Sequence, residues 1–547
     1  MEHYLKVLER TVKEHWDEAA VCNFGSECFT YADLASNIEK FHIFFEKTGI
    51  RKQEHIALCA KSSARWGISF FSIATYGAVV VPLLSDFTAD SIVNLVNHSD
   101  STILFTDSDI WENLKGKSMP GIKAVVAVNN FTLLYSVDES IRQAFESLPH
   151  DFEAKFPMGY TRENVDFYES SQEDVAVINY TSGTTSAPKG VIIQVKCFSA
   201  MLEFAAPRSP IFPGDKIVSM LPMGHIYGLV FEFLYPVSFG CPVYFFGKVP
   251  SPTLLLRAMA EVKPYMIVSV PLVMEKIYKS GVKPALSKFP VNILKHIPGI
   301  RQIIYNKAGK KLKAAFGGNV RMLIMGGAAV NPEVEKAFRL MKIPFLIGYG
   351  LTEAAPLLTF DYPSKFKLGT CGKEVPSAHI RIDSEDPHHI AGEIQAIGIN
   401  ICKGYYKNPE ATANAFTEDG YFRTGDLGIL DKDNNLIIKG RLKTMILSAN
   451  GQNIYPEELE SIINSQAYVS ESIVVDRSGK IVALIVLDKD AIKRDNIEDE
   501  AIADIPETVR VNTNRELPSY SKIAKVEVML HPFEKTPKMS IKRYLYK

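Results

Sequence analysis

The chain has 547 residues, of which 61 are Lys or Arg and 62 are Asp or Glu, for a net charge of −1. That length exceeds one ordinary hydrophobic core and predicts a large layered body with a smaller unit attached. The near-neutral charge supplies no overall field to hold a nucleic acid or an anionic membrane, so small molecules are the expected partners.

The N-terminal stretch, residues 1–20, sets Tyr4, Leu5, Val7, Leu8 and Val12 among charges, the pattern of an amphipathic helix without the apolar centre of a signal peptide. Short apolar runs follow at 55–60, 103–105, 125–128, 217–221, 266–270, 322–325 and 345–347, with the length and flanks of buried strands. Helical patterns lie between several of them; Asn331, Pro332 and Glu333 read as a cap, a first-turn proline and an acidic first turn. Strand alternating with helix predicts an α/β body. The most apolar stretch, 229–246, is interrupted by Glu232, Pro236, Gly240 and Pro242 and is too irregular to span a membrane. The seven cysteines, at 22, 28, 59, 197, 241, 371 and 402, form no CxxC pair and read as separate thiols in a reducing, cytoplasmic setting.

Residues 180–191, YTSGTTSAPKGV, come directly after the apolar run 175–178. Glycines let the backbone approach an anion, hydroxyls and N–H groups donate to phosphate oxygens, and a lysine supplies charge at the rim. Thr181, Ser182, Gly183, Thr184, Thr185 and Lys189 are therefore candidates to cradle a polyphosphate. The order is not that of a GxxxxGK[ST] loop, because Lys189 follows Pro188 and precedes Gly190, which disfavours a nucleotide switch protein. The loop resembles that of the superfamily of adenylate-forming enzymes that unites acyl-CoA synthetases, firefly luciferase and peptide-synthetase adenylation domains. Ser186 stands where that family carries glycine.

The resemblance continues along the chain. LPMGHIYGL at 221–229 is similar to the family's gate near the acyl carboxylate, which makes His225 a candidate substrate contact. MGGAAV at 325–330 resembles the turn against the adenine, with Gly327 and Ala328 as candidates. In GYGLTEAAP at 348–356 the resemblance implies that Tyr349 stacks on adenine beside Gly350, that Thr352 bonds the α-phosphate, and that Glu353 ligates Mg²⁺. KGYYKNPEAT at 403–412 belongs to the same pattern; YFRTGDLG at 421–428 and GRLKTMI at 440–446 imply Asp426 and Arg441 as ribose contacts and Lys443 as the hinge. The terminal segment KTPKMSIKR, residues 535–543, carries Ser540 where the family has a lysine over the α-phosphate and carboxylate, and Lys538 and Lys542 are candidates to replace that charge.

The resemblance runs from about residue 29 to the last residues. It implies a large multilayer N-terminal body of α/β subdomains with a β-barrel portion and a small mobile α+β C-terminal domain. We expect the division at 1–435 and 436–547, where DKDNN at 431–435 reads as a turn. It also implies ATP-dependent activation of a carboxylic acid as acyl-AMP and transfer to coenzyme A, with Mg²⁺ assisting. VPLVMEKIY at 270–278 and ILSANGQNIYPEELE at 446–460 are most similar to long-chain fatty acyl-CoA synthetases, with medium-chain acids open. Alternatives are loading of an acyl carrier protein and, because of Ser540 and Ser186, a degenerate nucleotide-binding relative. No integral membrane segment is expected, and peripheral membrane contact stays open.

Overall fold

The computed structural model describes residues 1–181, 188–209, 211–247, 251–447, 453–477, 479–535 and 541–546. Two seven-stranded sheets organise the N-terminal body. The first runs Leu133–Ser136, Ala124–Ala127, Ile103–Thr106, His55–Cys59, Val79–Leu83, Val175–Thr181, Lys189–Gln194, parallel in its middle and antiparallel at both edges. The second runs Phe345–Ile347, Met322–Met325, Met266–Ser269, Ile217–Ser219, Val243–Phe245, Ala19–Asn23, Cys28–Thr30, antiparallel only between its last two strands. Parallel strands covered on both faces need apolar residues at every position, which is why their sequences read as unbroken runs.

Helix Ala64–Tyr76 lies between the sheets, against Val79–Leu83 and His55–Cys59 on one side and Ala19–Asn23 on the other. Its residues other than Arg65 are buried, as expected of a helix without a solvent face. The approach is close: a Cβ on Gly67 would come within 2.8 Å of the Phe233 ring. Ser63 caps its start, and Gly77 ends it in the left-handed region at φ 86°, a conformation that glycine adopts without steric cost. The N-terminal helix, Tyr4–Glu14, buries the expected Tyr4, Leu5, Val7, Leu8 and Val12.

The antiparallel part of the body is the four-stranded sheet Ala378–Asp383, Gly392–Gly398, Phe422–Leu430, Leu436–Arg441. The boundary expected at 435/436 falls inside it. DKDNN is the hairpin turn, where the Asp431 carboxylate accepts from the backbone N–H groups of Asp433 and Asn435, and Leu436–Arg441 continues the sheet on the far side. A separate apolar core follows, in which the sheet Val469–Arg477, Lys480–Leu487, Lys525–Val528 packs with helices Pro456–Ser465 and Asp499–Glu516. Cys22 and Cys28 face each other across the antiparallel pair, with their Cα atoms 3.9 Å apart. Among the described residues no helix is long and apolar enough to cross a membrane.

Candidate functional site

Segments at the carboxyl ends of strands from both sheets meet, with Met223 N–H donating to Ser62 Oγ at 3.0 Å and Asn179 Nδ2 to Gly224 O at 2.9 Å; strand ends of this kind are the usual ligand position in open α/β sheets. Strand Val175–Thr181 leads into the glycine- and hydroxyl-rich loop and Lys189–Gln194 returns from it, paired in register from Thr181↔Lys189 inward. Ser182, Gly183, Thr184, Thr185 and Ser186 lie outside the described residues, as do Lys538 and Ser540. The stems are fixed from outside. Tyr406 N–H donates to Gly190 O and Ile192 N–H to Gly404 O, fastening the 403–406 segment along the returning strand. Gly190 has no room for a side chain, since a Cβ would meet Ile178 Cγ2 at 2.9 Å.

This fastening brings Lys189 to the ring face and Glu353 to the hydroxyl of one tyrosine. Lys189 Nζ lies 4.8 Å from the Tyr405 ring centroid, and the Tyr405 hydroxyl donates to Glu353 Oε1 at 2.9 Å. Burial pushes the Tyr405 hydroxyl pKa well up, with the Glu353 carboxylate adding to the shift, so the hydroxyl stays protonated and acts as a donor. Glu353 sits in the single 3₁₀ turn Thr352–Ala354 with Thr352 beside it, both half-buried. Its second carboxylate oxygen takes no hydrogen bond from a described residue. One free carboxylate oxygen suits Mg²⁺, which keeps several waters and binds through one or two carboxylates plus substrate phosphates. Among the described residues no group of three or more His, Cys, Asp and Glu could hold a metal alone.

The segment after strand Phe345–Ile347 folds back sharply. A Cβ on Gly350 would lie 1.8 Å from Pro356 O, so only glycine fits there. The fold-back presents Tyr349, 7% exposed, whose hydroxyl donates to Asp426 Oδ2 at 2.8 Å. Asp426 and Arg441 are directly opposed on neighbouring strands, with Arg441 Nε 3.1 Å from Asp426 Oδ1. Burial raises the Asp426 pKa, and the Arg441 guanidinium and the Tyr349 hydroxyl act against that rise. Nearby, Gly326 approaches Gly348 O and the Tyr227 ring, 3.4 Å from where its Cβ would be, while Gly327 (φ 84°) and Ala328 are exposed at the lip.

His225 follows strand Ile217–Ser219 at the start of a short helix, half-buried. Its neighbour Gly224 is gripped by the first sheet: Asn179 Nδ2 donates to Gly224 O at 2.9 Å, and a Cβ there would meet Leu84 at 2.9 Å. The His225 segment therefore stands over the strand that enters the phosphate loop. Lys542 is held elsewhere. Its Nζ pairs with Glu534 Oε2 at 3.3 Å and its N–H donates to Glu534 O, so no described hydrogen bond or ion pair joins it to Thr352, Glu353 or His225. Its neighbour Arg543 forms a two-point pair with Glu460, one bond of which is 2.7 Å.

Tyr405, Asn179 and Glu232 are absent from the sequence candidates. Tyr405 lies in the quoted 403–412 segment, but its partner is 52 residues away. Glu232, wholly buried in the π-helix Leu229–Leu234, accepts hydrogen bonds from Ser219 Oγ at 3.1 Å, Met220 N at 3.2 Å and Leu221 N at 2.9 Å. It thereby anchors the chain just before the His225 segment.

Comparison with known proteins identifies the family and the fold. Residues 8–406 match the family described as AMP-binding enzyme, and residues 443–546 match the AMP-binding enzyme C-terminal domain. The chain is 27% identical over 493 residues to long-chain-fatty-acid–CoA ligase FadD15 of Mycobacterium bovis, covering 85% of this chain and 78% of that protein. It is 29% identical over 479 residues to long-chain-fatty-acid–CoA ligase 4 of Saccharomyces cerevisiae, covering 81% and 67% respectively. The fold matches ATP-bound MatB from Rhodopseudomonas palustris with a TM-score of 0.77 at 21% identity, over 98% of this chain and 97% of that one.

Proposed function

The chain belongs to the AMP-binding enzyme family, and from that premise we propose that it activates a long- or medium-chain fatty acid as its acyl-AMP and passes the acyl group to coenzyme A. The observation that carries the reading is a pair of clusters linked by the segment 349–353: Lys189, Tyr405 and Glu353 in one, Tyr349, Asp426 and Arg441 in the other. The first set suits a polyphosphate. The second suits a ribose, whose hydroxyls would donate to Asp426. Their joint presence supports ATP as the ligand.

In the first step a carboxylate oxygen attacks the α-phosphorus in line; a P–O bond to that oxygen forms, and the bond to pyrophosphate breaks. Lys189 faces charge developing on the departing phosphates, and Thr352 donates to the α-phosphate. Mg²⁺, held by Glu353, supplies neutralising charge when bound. His225 sits where it would contact the acid's carboxyl group. In the second step coenzyme A's thiol gives its proton to solvent, the resulting thiolate attacks the acyl carbon to form the thioester bond, and the C–O bond to AMP breaks.

The C-terminal unit would turn about a hinge near Lys443. Because Ser540 replaces the family lysine, we assign the missing cation to Lys538 or Lys542. ATP–pyrophosphate exchange measured for Lys538→Ala and Lys542→Ala separates them: loss in one names the substitute, and unchanged exchange in both removes the assignment. The reading places the enzyme in the cytoplasm. A panel of acids scored for AMP formation, with free coenzyme A or an acyl carrier protein as acceptor, tests the whole. AMP and acyl-CoA from a fatty acid are expected. ATP binding with no exchange for any acid would instead identify a non-catalytic nucleotide binder.

A further inference from the structure

Near-neutral net charge conceals a strongly one-signed segment. Between residues 276 and 332 the chain carries eleven Lys or Arg and no Asp or Glu. The same stretch, inserted between strands Met266–Ser269 and Met322–Met325 of the second sheet, holds a cluster of exposed bulky apolar side chains. Phe289 is 79% exposed, Ile293 57%, Ile297 42%, Ile300 37% and Ile303 69%. Scattered surface apolar residues need no explanation, but five within fifteen residues (289 to 303) form a patch of the kind that marks an interaction site.

Helix Ile300–Ala315 sets the geometry. Its inner side is fixed by Gly309, where a Cβ would lie 2.1 Å from Met341 O, and by buried Leu312. The outward stripe therefore runs Ile300, Ile303, Lys307, Lys310, Lys311 at helical spacing, apolar at the start and basic after the first turn. The short helix Val291–Leu294 and its flanks add Phe289, Ile293 and Ile297 at the apolar end. These cations are uncommitted: among the described residues no ion pair or side-chain hydrogen bond engages Lys288, Arg301, Lys307, Lys310 or Lys311, whereas Lys283 at the base pairs with Glu333 at 2.8 Å.

We propose that residues 288–311 are a docking face for an anionic phospholipid surface. Phe289 and the four isoleucines enter the boundary between headgroups and acyl chains, and Lys307, Lys310 and Lys311 lie on lipid phosphates, the division of labour of interfacial amphipathic segments. An acidic protein would satisfy the cations equally well, but it would leave five large apolar side chains in water unless it carried a matching hollow. The bilayer boundary takes both kinds of group at once. The face goes beyond the catalytic reading and does not depend on it.

Co-sedimentation of the full chain with vesicles tests this, using equal parts phosphatidylcholine and phosphatidylglycerol against pure phosphatidylcholine, at low and high salt. The wild type is expected to bind the anionic vesicles and to weaken with salt. Combined Lys307→Gln, Lys310→Gln and Lys311→Gln should lower partitioning about a hundredfold, roughly fivefold per cation. Combined Phe289→Ser, Ile293→Ser and Ile303→Ser should lower it at least about tenfold. Met158→Ser, at a residue 94% exposed outside this segment, should bind as wild type, and all variants should keep the wild-type circular dichroism. Equal binding to neutral vesicles, no binding to anionic ones, or wild-type binding by both triple variants would overturn the proposal. So would binding of an acidic carrier protein through this face without any binding to vesicles.

Discussion

Replacing Glu232 with Gln removes one titrating proton from the body while keeping the side chain's shape. Glu232 is 0% exposed and accepts from Ser219 Oγ, Met220 N and Leu221 N. Burial holds its carboxyl up at about 8, and the backbone N–H donors of Leu221 and Met220 offset that only in part. The folded protein thus keeps this proton across a range in which the unfolded chain, with a carboxyl near 4.5, has released it. The sign follows: the stability linked to this group is full below the unfolded value and is lost as pH rises through about 8. The slope is about 1.4 kcal/mol per pH unit, so between about pH 5.5 and 7.5 the wild type should lose roughly 2.7 kcal/mol that the Glu232→Gln variant keeps.

For a body of this size a kcal/mol corresponds to roughly 1–2 °C, so the gap between the two melting temperatures should move by about 3–5 °C over that range in the variant's favour. Differential scanning calorimetry of both proteins across the range measures it. Groups that titrate identically in both, such as His42, whose pKa burial lowers to about 3, cancel in the difference. Two melting curves that stay parallel with pH would show that Glu232 is ionised in the fold, and would refute the link drawn between its burial and its proton.

Asp426→Asn removes the charge between Tyr349 and Arg441, and should raise the ATP KM roughly 10–100-fold in AMP formation, whereas Tyr349→Phe, which deletes one neutral donor, should cost only about fivefold; the reverse order would contradict the ribose assignment. Gly350→Ala places a Cβ 1.8 Å from Pro356 O and should abolish ATP binding in isothermal titration while strand Phe345–Ile347 stays protected from hydrogen exchange. Arg543→Met strands the buried Glu460 carboxylate and should destabilise the C-terminal unit by about 3–5 kcal/mol, seen as faster proteolysis there. Because burial holds Glu460 up at about 7 even beside Arg543, and removing the guanidinium lets it rise further, the loss should shrink as pH falls toward that value and the stranded group takes a proton.

The strands legible in the sequence are those whose burial on both faces leaves an unbroken apolar run, such as Ile103–Thr106 and Met322–Met325. Val79–Leu83 is equally buried but contains Pro82, a residue that argues against a central strand, and it escapes the pattern. The fold tolerates it next to His55–Cys59, where Pro82 opposes Leu58. Local signals also mislead where one residue pattern serves two purposes. DKDNN has the composition of a linker and the hydrogen bonding of a hairpin turn, and only the pairing of Asp426 with Arg441 across it decides between them. Glu232 reads as an interruption of an apolar segment; three donors from a neighbouring strand end convert it into an anchor, and those donors lie 11 to 13 residues away.

At the candidate site, the residues proposed to touch ligand were legible, because the glycine- and hydroxyl-rich loop, the glycine turn and the strand-borne aspartate each carry their pattern within a few positions. Residues that hold those elements together were not. Tyr405 joins Lys189 to Glu353, and Asn179 ties the His225 segment to the strand entering the phosphate loop, through contacts spanning 52 and 45 residues. Charge behaves the same way. A sum over the chain gives −1 and by itself argues against an anionic surface as partner, yet screening confines electrostatic attraction to roughly 10 Å, so what a partner meets is the local run. Lys307, Lys310 and Lys311 lie on one helix face with no acid within the same segment, and among the described residues none of the three enters an ion pair.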